Sequence, residues 1–148
     1  MMTAAPIRKR DVKALGLICF VIVMKIILDV GQCNPDHNAL KKLAAEAGAE
    51  VERIKLPAQA VERLREKKFD LVFVNRKIDA DYTDGLELVK AMQADKELKK
   101  IPIMLISNYT EAQEEAVKEG AVLGFGKAEL KKPETLEKVK TVLYGSKV

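Results

Sequence analysis

Histidine and cysteine are scarce in this chain, which has one histidine, His37, and two cysteines, Cys19 and Cys33. A single histidine cannot form a metal centre by itself, and Cys33, four residues before it, is followed by no second pair of ligands at zinc-binding spacing. Two isolated cysteines do not make a disulfide framework in a chain long enough to fold around its own core. We therefore expect no metal site and a protein of the reducing cytoplasm.

A basic surface patch is also missing, although the formal net charge is +4. The excess lies in residues 8–13, which contain four basic residues and one acid. From Met24 onward, 22 basic residues are balanced by 21 acidic ones. Because binding to a phosphate backbone requires concentrated positive charge, this balance argues against a nucleic-acid partner.

Long hydrophobic runs are absent as well. The apolar segment Ala14–Met24 follows the basic cluster as in a signal peptide, but no small-residue cleavage site comes after it. It falls far short of the roughly 20 residues that span a bilayer. Extending it would place Lys25 and Asp29 in the membrane at about 2.5 to 3.5 kcal/mol each. We expect no membrane span; residues 1–23 are either an extra helix or peripheral segment, or an extension that the native protein lacks, ahead of one domain over 24–148.

Short apolar runs, by contrast, recur along that domain and predict strands buried on both faces of a parallel sheet. The five runs are Ile26–Val30, Val51–Leu56, Leu71–Val74, Ile103–Ile106 and Val122–Phe125. Amphipathic segments alternate with them, and their predicted starts are Asn34-Pro35, Pro57, Asp84-Gly85, Thr110 and Pro133. Thr110 with Gln113 matches a capping box. This alternation predicts a doubly wound, flavodoxin-like (βα)5 three-layer α/β sandwich with its site at the carboxyl ends of the strands.

The residues at those strand ends carry a family resemblance. Residues 69–75 (FDLVFVN) and 84–88 (DGLEL), then 102–107 (PIMLIS) and 120–127 (GAVLGFGK), follow one another in the order and spacing of a receiver domain. The chain thus resembles the CheY-like response regulator superfamily over nearly all of 24–148. The resemblance implies receiver topology and a role in bacterial two-component signalling.

The resemblance also implies a pocket, in which an active receiver needs a carboxylate nucleophile, carboxylates for Mg²⁺, a hydroxyl and a lysine. Ser107 and Lys127 match the hydroxyl and the lysine, but Asn75 stands at the phosphoacceptor position. In active receivers a pair of acidic residues ends the first strand, and here this pair is incomplete. Counting forward from the strand places Asp29 near the pair, whereas counting back from Pro35 places residues 32–34 (QCN) at it. We therefore expect Mg²⁺ binding to be weak or absent, and no other cofactor.

Other receiver features depart from the pattern. Gly124 replaces the aromatic residue that usually precedes the lysine by three positions, and Ala128 replaces the proline that usually follows it, so a trans peptide bond is expected there. The loop after the third strand is about two residues longer than usual and contains Asp79 and Asp81. With Asp84 these suggest a calcium loop, but the spacing fails its glycine and glutamate requirements, which favours a solvated turn and a helix cap.

Three functional classes follow. The first is a pseudo-receiver, a non-enzymatic module that binds a signalling protein, such as a histidine kinase or another two-component protein, through its last two helices and the strand between them. In this reading the amide of Asn75 bonds Lys127 or Ser107. The second is an active phosphorelay receiver modified on Asp29, Asp79 or Ser107. The third, a small flavodoxin-like enzyme or nucleotide binder, lacks a glycine-rich phosphate loop, since Gly31 stands alone.

Overall fold

The computed structural model describes residues 24–145, and within them it confirms the predicted α/β fold. The strands are β1 (Lys25–Val30), β2 (Ala49–Ile54), β3 (Leu71–Asn75), β4 (Ile103–Ile106) and β5 (Val122–Phe125). The helices are α1 (Asn34–Glu46), α2 (Pro57–Glu66), α3 (Leu86–Gln93), α4 (Thr110–Lys118) and α5 (Pro133–Tyr144), with 3-10 turns at Leu98–Lys100 and Lys127–Glu129. The predicted extension, residues 1–23, lies outside the described residues.

The strands form one parallel sheet in the order β2-β1-β3-β4-β5. Successive strand side chains point to opposite faces, so β1 sends Leu28 into the core layer that it shares with α2, α3 and α4, and Ile27 into the layer that it shares with α1 and α5. The three-layer sandwich predicted from the sequence is therefore correct. The chain reverses its winding direction between β1 and β3, and this places a crevice at the carboxyl ends of the central strands.

Two local predictions are wrong. β2 begins at Ala49, two residues before the predicted start, because Gly48 adopts a positive φ of 78° and ends the turn after α1 at once. The predicted capping box at the start of α4 does not form, since Tyr109 is the N-cap residue and makes no side-chain cap bond. The side chain of Gln113 turns into the sheet instead.

No helix within residues 24–145 combines the length and the apolar character that crossing a membrane requires. The apolar segment Ala14–Met24, discussed above as a possible span, lies almost wholly outside this range.

Candidate functional site

Three of the predicted pocket residues lie together at the carboxyl edge of the sheet. Asn75 ends β3, while Ser107 and Lys127 follow β4 and β5, and all three line a cavity of about 270 Å³. They meet because parallel neighbouring strands end at the same edge. The fourth predicted residue, Asp29, does not line this cavity.

Asn75 is buried, and its side-chain amide links β3 to the turn after β1 through a hydrogen bond. Asn75 Nδ2 donates to the carbonyl oxygen of Gly31 at 3.0 Å, and the backbone N–H of Asp79 donates to the same oxygen at 2.9 Å. The predicted bond from Asn75 to Lys127 or Ser107 is therefore wrong. The reason is the register, since Val30 lies beside Val74 and Gly31, the residue that follows β1, comes level with Asn75.

A hydrocarbon side chain fills the space over this turn. Ile78, in the loop after β3, is fully buried, and a Cβ built on Gly31 would lie 2.5 Å from Ile78 Cδ1. Gly31 has a φ of 81°, which also favours glycine there. The turn after β1 therefore offers a backbone carbonyl to Asn75, and Ile78 covers that turn, where the resemblance would require carboxylates.

Lys127 forms an ion pair with a carboxylate that the sequence interpretation had not assigned. Its Nζ lies 2.6 Å from Oδ2 of Asp36, in the first turn of α1, and Cys33 Sγ donates to the same oxygen at 3.1 Å. Burial opposes the ionisation of Asp36, but the hydrogen bonds from Lys127 and Cys33 outweigh it and lower the pKa of Asp36. The pair ties α1 to the loop after β5, and the following peptide bond to Ala128 is trans, as predicted.

Ser107 is buried, and its hydroxyl forms a hydrogen bond with the backbone. Ser107 Oγ accepts a hydrogen bond from the N–H of Tyr109 at 3.1 Å, which stabilises the turn into α4. The charged residues that line the cavity around it are Arg76, Lys77 and Lys127, and all three are cations. This donor set does not fit Mg²⁺, which needs anionic oxygen ligands.

Asp29 lies under α1, and the prediction that placed it near the pocket is corrected. Its carboxylate is fully buried; Oδ2 accepts a hydrogen bond from His37 Nδ1 at 2.7 Å, and Oδ1 has no hydrogen-bond partner. The cause is strand alternation, which points Asp29 to the face shared with Ile27 and Phe73. Burial raises the pKa of Asp29 to about 6, against the opposing hydrogen bond from His37.

Asp29 should make the stability of the domain depend on pH. Because its pKa rises from 3.8 to about 6 on folding, the folded state binds the proton more tightly, and stability falls as the pH rises from about 4 to 6. The full loss is on the order of 3 kcal/mol, at about 1.4 kcal/mol per pKa unit. Chemical denaturation of the wild type and of Asp29→Asn between pH 4 and 8 measures it. The difference in unfolding free energy between the two proteins should change across that window and level off above it; a constant difference would contradict the prediction.

The residues considered for metal binding have other partners. His37 bonds Asp29 while Cys33 bonds Asp36, and no group of three potential His, Cys, Asp or Glu ligands occurs within the part of the chain that the structure describes. In the loop after β3, Asp81 Oδ1 accepts from the N–H and the hydroxyl of Thr83. Asp84 Oδ1 accepts from the N–H of Leu86. The solvated turn that the spacing predicted is therefore present, whereas the N-cap residue of α3 is Gly85, which makes no side-chain cap bond.

Gln113 is a second residue, besides Asp36, whose role the sequence interpretation missed. Its buried amide donates from Nε2 to the carbonyl oxygens of Leu105 at 2.9 Å and Ser107 at 3.0 Å, and its Oε1 accepts from the N–H of Gly124 at 3.1 Å. It thereby bridges β4 and β5 where their register shifts. The available signal was Gly124 itself, where a Cβ would lie 2.1 Å from the carbonyl oxygen of Leu105, so that only glycine allows β4 and β5 to approach this closely.

The fold and the residues at the ends of β3, β4 and β5 define a receiver-type α/β domain. The model of the response regulator receiver domain family matches residues 36–143, well over half of the chain. This protein therefore belongs to the response regulator receiver domain family.

Solved structures agree on the fold. A response regulator from Thermotoga maritima shares 25% identity with a TM-score of 0.67, over 82% of this chain and 98% of that one. The chemotaxis response regulator CheY4 of Vibrio cholerae shares 24% with a TM-score of 0.66, over 82% and 100%. A CheY-like receiver domain from Methylobacillus flagellatus shares 20% with a TM-score of 0.62, over 82% and 97%. A comparison with curated protein sequences finds no match.

Proposed function

We propose that this domain is a pseudo-receiver: a non-enzymatic signalling module of the cytoplasm that binds another protein without being phosphorylated. Its partner is a signalling protein, with a histidine kinase or another two-component protein as the first candidate. It works without Mg²⁺ or another cofactor. The domain belongs to a family built around an aspartate phosphoacceptor, and Asn75 stands at the corresponding position in this sequence.

The hydrogen bond from Asn75 to Gly31 is the observation that carries the proposal. A neutral carboxamide is a poor nucleophile and forms no acyl phosphate readily, and here its nitrogen is engaged by a backbone oxygen at 3.0 Å. The lining of the cavity supplies three cations and no carboxylate for a metal ion. A module held in one state by internal hydrogen bonds suits constitutive binding better than a phosphorylation switch.

The alternative acceptors are poorly placed for the second functional class. Asp29 is fully buried against His37, so a phosphodonor in solution cannot reach it. Ser107 is 7% exposed, and its hydroxyl oxygen already accepts a backbone hydrogen bond. Asp79 is exposed but lines a different cavity from Lys127. None of these residues has a lysine and a metal site beside it to stabilise a transferring phosphoryl group.

Intact-mass measurement after incubation with a small acyl phosphate, with and without Mg²⁺, tests the proposal. We expect no phosphoryl adduct on the wild type. We also expect none on Asn75→Asp, because the new carboxylate has no acidic neighbours in the cavity to hold Mg²⁺ with it. A receiver that carries aspartate at this position is the positive control. A Mg²⁺-dependent adduct on the wild type would refute the pseudo-receiver proposal; one on Asn75→Asp alone would show that a metal site survives.

The surface of α4, β5 and α5 is where we expect the partner to dock. β5 is an edge strand of the sheet, and the side chains of Leu123 and Val117 are 52% and 42% exposed. Leu123→Asn should change the unfolding free energy by no more than about 0.5 kcal/mol, since the side chain is half exposed. It should reduce retention of histidine kinases on the immobilised domain. Tyr82→Asn, in the loop after β3, is the matched control, and equal retention by both variants would place the docking surface elsewhere.

A further inference from the structure

The side chains of Cys33 and Lys127 lie against the same oxygen atom. Asp36 Oδ2 accepts a hydrogen bond from Cys33 Sγ at 3.1 Å and lies 2.6 Å from Lys127 Nζ. Cys33 is the N-cap residue of α1 and Lys127 follows β5, so the two groups approach each other only in the folded chain. A thiol and an amine are therefore held side by side on a carboxylate that can exchange protons with both.

Cys33 also lines a cavity that has unsatisfied polar groups in its wall. The thiol is half-buried, and the cavity, of about 440 Å³, is shared with Gln32 and Arg53. Gln32 is 3% exposed, and within residues 24–145 neither Nε2 nor Oε1 of its amide has a hydrogen-bond partner; the same holds for Arg53 Nε. Buried polar groups normally bond a protein group or a small polar molecule. The cavity therefore offers a place for a small polar reactant beside the sulfur.

We propose that Cys33 is a redox modification site, at which hydrogen peroxide oxidises the thiol and Lys127 traps the product as a cross-link. In the first step the thiol gives its proton to Asp36, and the sulfur attacks one peroxide oxygen. An S–O bond forms and the O–O bond breaks. The sulfur is oxidised to a sulfenic acid, and the other peroxide oxygen is reduced and leaves as water.

The second step joins the two side chains. The uncharged amine of Lys127 attacks the sulfur with its electron pair, and an S–N bond replaces the S–O bond. The hydroxyl group leaves as water with a proton from the nitrogen, which Asp36 is placed to pass on. One peroxide is consumed and two water molecules are released, and the product is a sulfenamide that a thiol reductant reverses.

The position of Lys127 gives it an advantage over other nucleophiles. It is held 2.6 Å from the oxygen that binds the thiol, so the second step requires no encounter from solution. The cross-link would join α1 to the loop after β5 covalently, where an ion pair joins them in the reduced protein. The inference goes beyond the proposed function and does not depend on it, because neither Asn75 nor a docking partner takes part.

Peptide mass mapping of the full chain after treatment with hydrogen peroxide at pH 8 tests the site. The protein carries Cys19→Ser, so that Cys33 is its only thiol. We expect a cross-linked pair of peptides that contains Cys33 and Lys127 and has lost two hydrogen atoms. Dithiothreitol should restore the separate peptides. Unfolding the protein in urea before peroxide is added should abolish the link, because only the folded chain brings the two residues together.

Two matched lysine variants distinguish Lys127 from a neighbouring amine. Lys127→Arg keeps the charge beside Asp36 but replaces the amine by a much weaker nucleophile, so the cross-link should be lost while Cys33 is still oxidised to its sulfenic and higher acids. Lys55→Arg changes a lysine that lines the same cavity as Cys33 and should leave the yield unchanged. Circular dichroism checks that both variants are folded. A link from Cys33 to Lys55, oxidation of Cys33 in the starting protein without a link, no oxidation of Cys33, or equal yields in both variants would overturn the inference.

Discussion

Gln113→Ala is expected to destabilise the domain by about 4 kcal/mol. The substitution deletes the donor to the carbonyl oxygens of Leu105 and Ser107 and the acceptor of the Gly124 N–H, and it leaves these buried backbone groups without the partner that joins β4 to β5. Each unsatisfied buried group costs about 1 to 3 kcal/mol. Urea denaturation monitored by circular dichroism measures the loss.

A matched control separates this effect from a general cost of replacing glutamine in a helix. Gln59→Ala removes an exposed glutamine from α2 and should change the unfolding free energy by no more than about 0.5 kcal/mol. Gln113→Glu should be at least as harmful as Gln113→Ala at neutral pH, because a carboxylate would face two carbonyl oxygens, and it should recover as acid protonates it. Equal stability of the Gln113 and Gln59 variants would show that the bridge contributes nothing.

Gly85→Ala is expected to cost about 3 kcal/mol and to disturb the cavity. Gly85 is the N-cap of α3 with a φ of −63°, which any residue can adopt. Glycine is therefore required at this position for steric reasons. A Cβ built there would lie 2.0 Å from the carbonyl oxygen of Asn75, which belongs to the backbone of β3 and cannot move aside cheaply. Overpacking of this kind typically costs 1 to 3 kcal/mol, occasionally more.

The neighbouring position provides the comparison for Gly85. Asp84→Ala removes the hydrogen bond that Asp84 Oδ1 accepts from the N–H of Leu86 and should cost about 1 kcal/mol, without touching β3. Backbone amide shifts of Asn75 and Arg76 should therefore change strongly in Gly85→Ala and weakly in Asp84→Ala. If both variants have the same stability and the same spectra at Asn75, the proposed clash is wrong.

The location of the pocket was largely predictable, whereas its internal bonding was not. Asn75, Ser107 and Lys127 were identified through the resemblance of the strand-end motifs to those of receiver domains, and they lie together because the ends of parallel strands meet at one edge. Asp29 was misplaced because the turn after β1 could be counted from either end. One residue of register decides which face of the sheet receives a side chain.

Gln113 and Asp36 show a second limit. In the sequence, Gln113 stands three residues after Thr110 and fits a capping box, and that local pattern holds no information about unsatisfied carbonyl groups on β4. Asp36 follows a proline at the start of α1, where acids are common for reasons of helix stability alone. Its ion pair with Lys127 joins residues 91 positions apart, so only the folded chain brings them within 2.6 Å.

By itself, the sequence determined the α/β class, the positions of the elements and the family, because hydrophobic periodicity and residue identity are local properties of the chain. The tertiary structure alone decided that Asn75 bonds Gly31, that Asp29 is buried under α1, and that Gln113 joins β4 to β5. These outcomes depend on strand register and on which backbone groups lack partners after packing. Both are settled only when distant segments compete for the same space and the same hydrogen bonds.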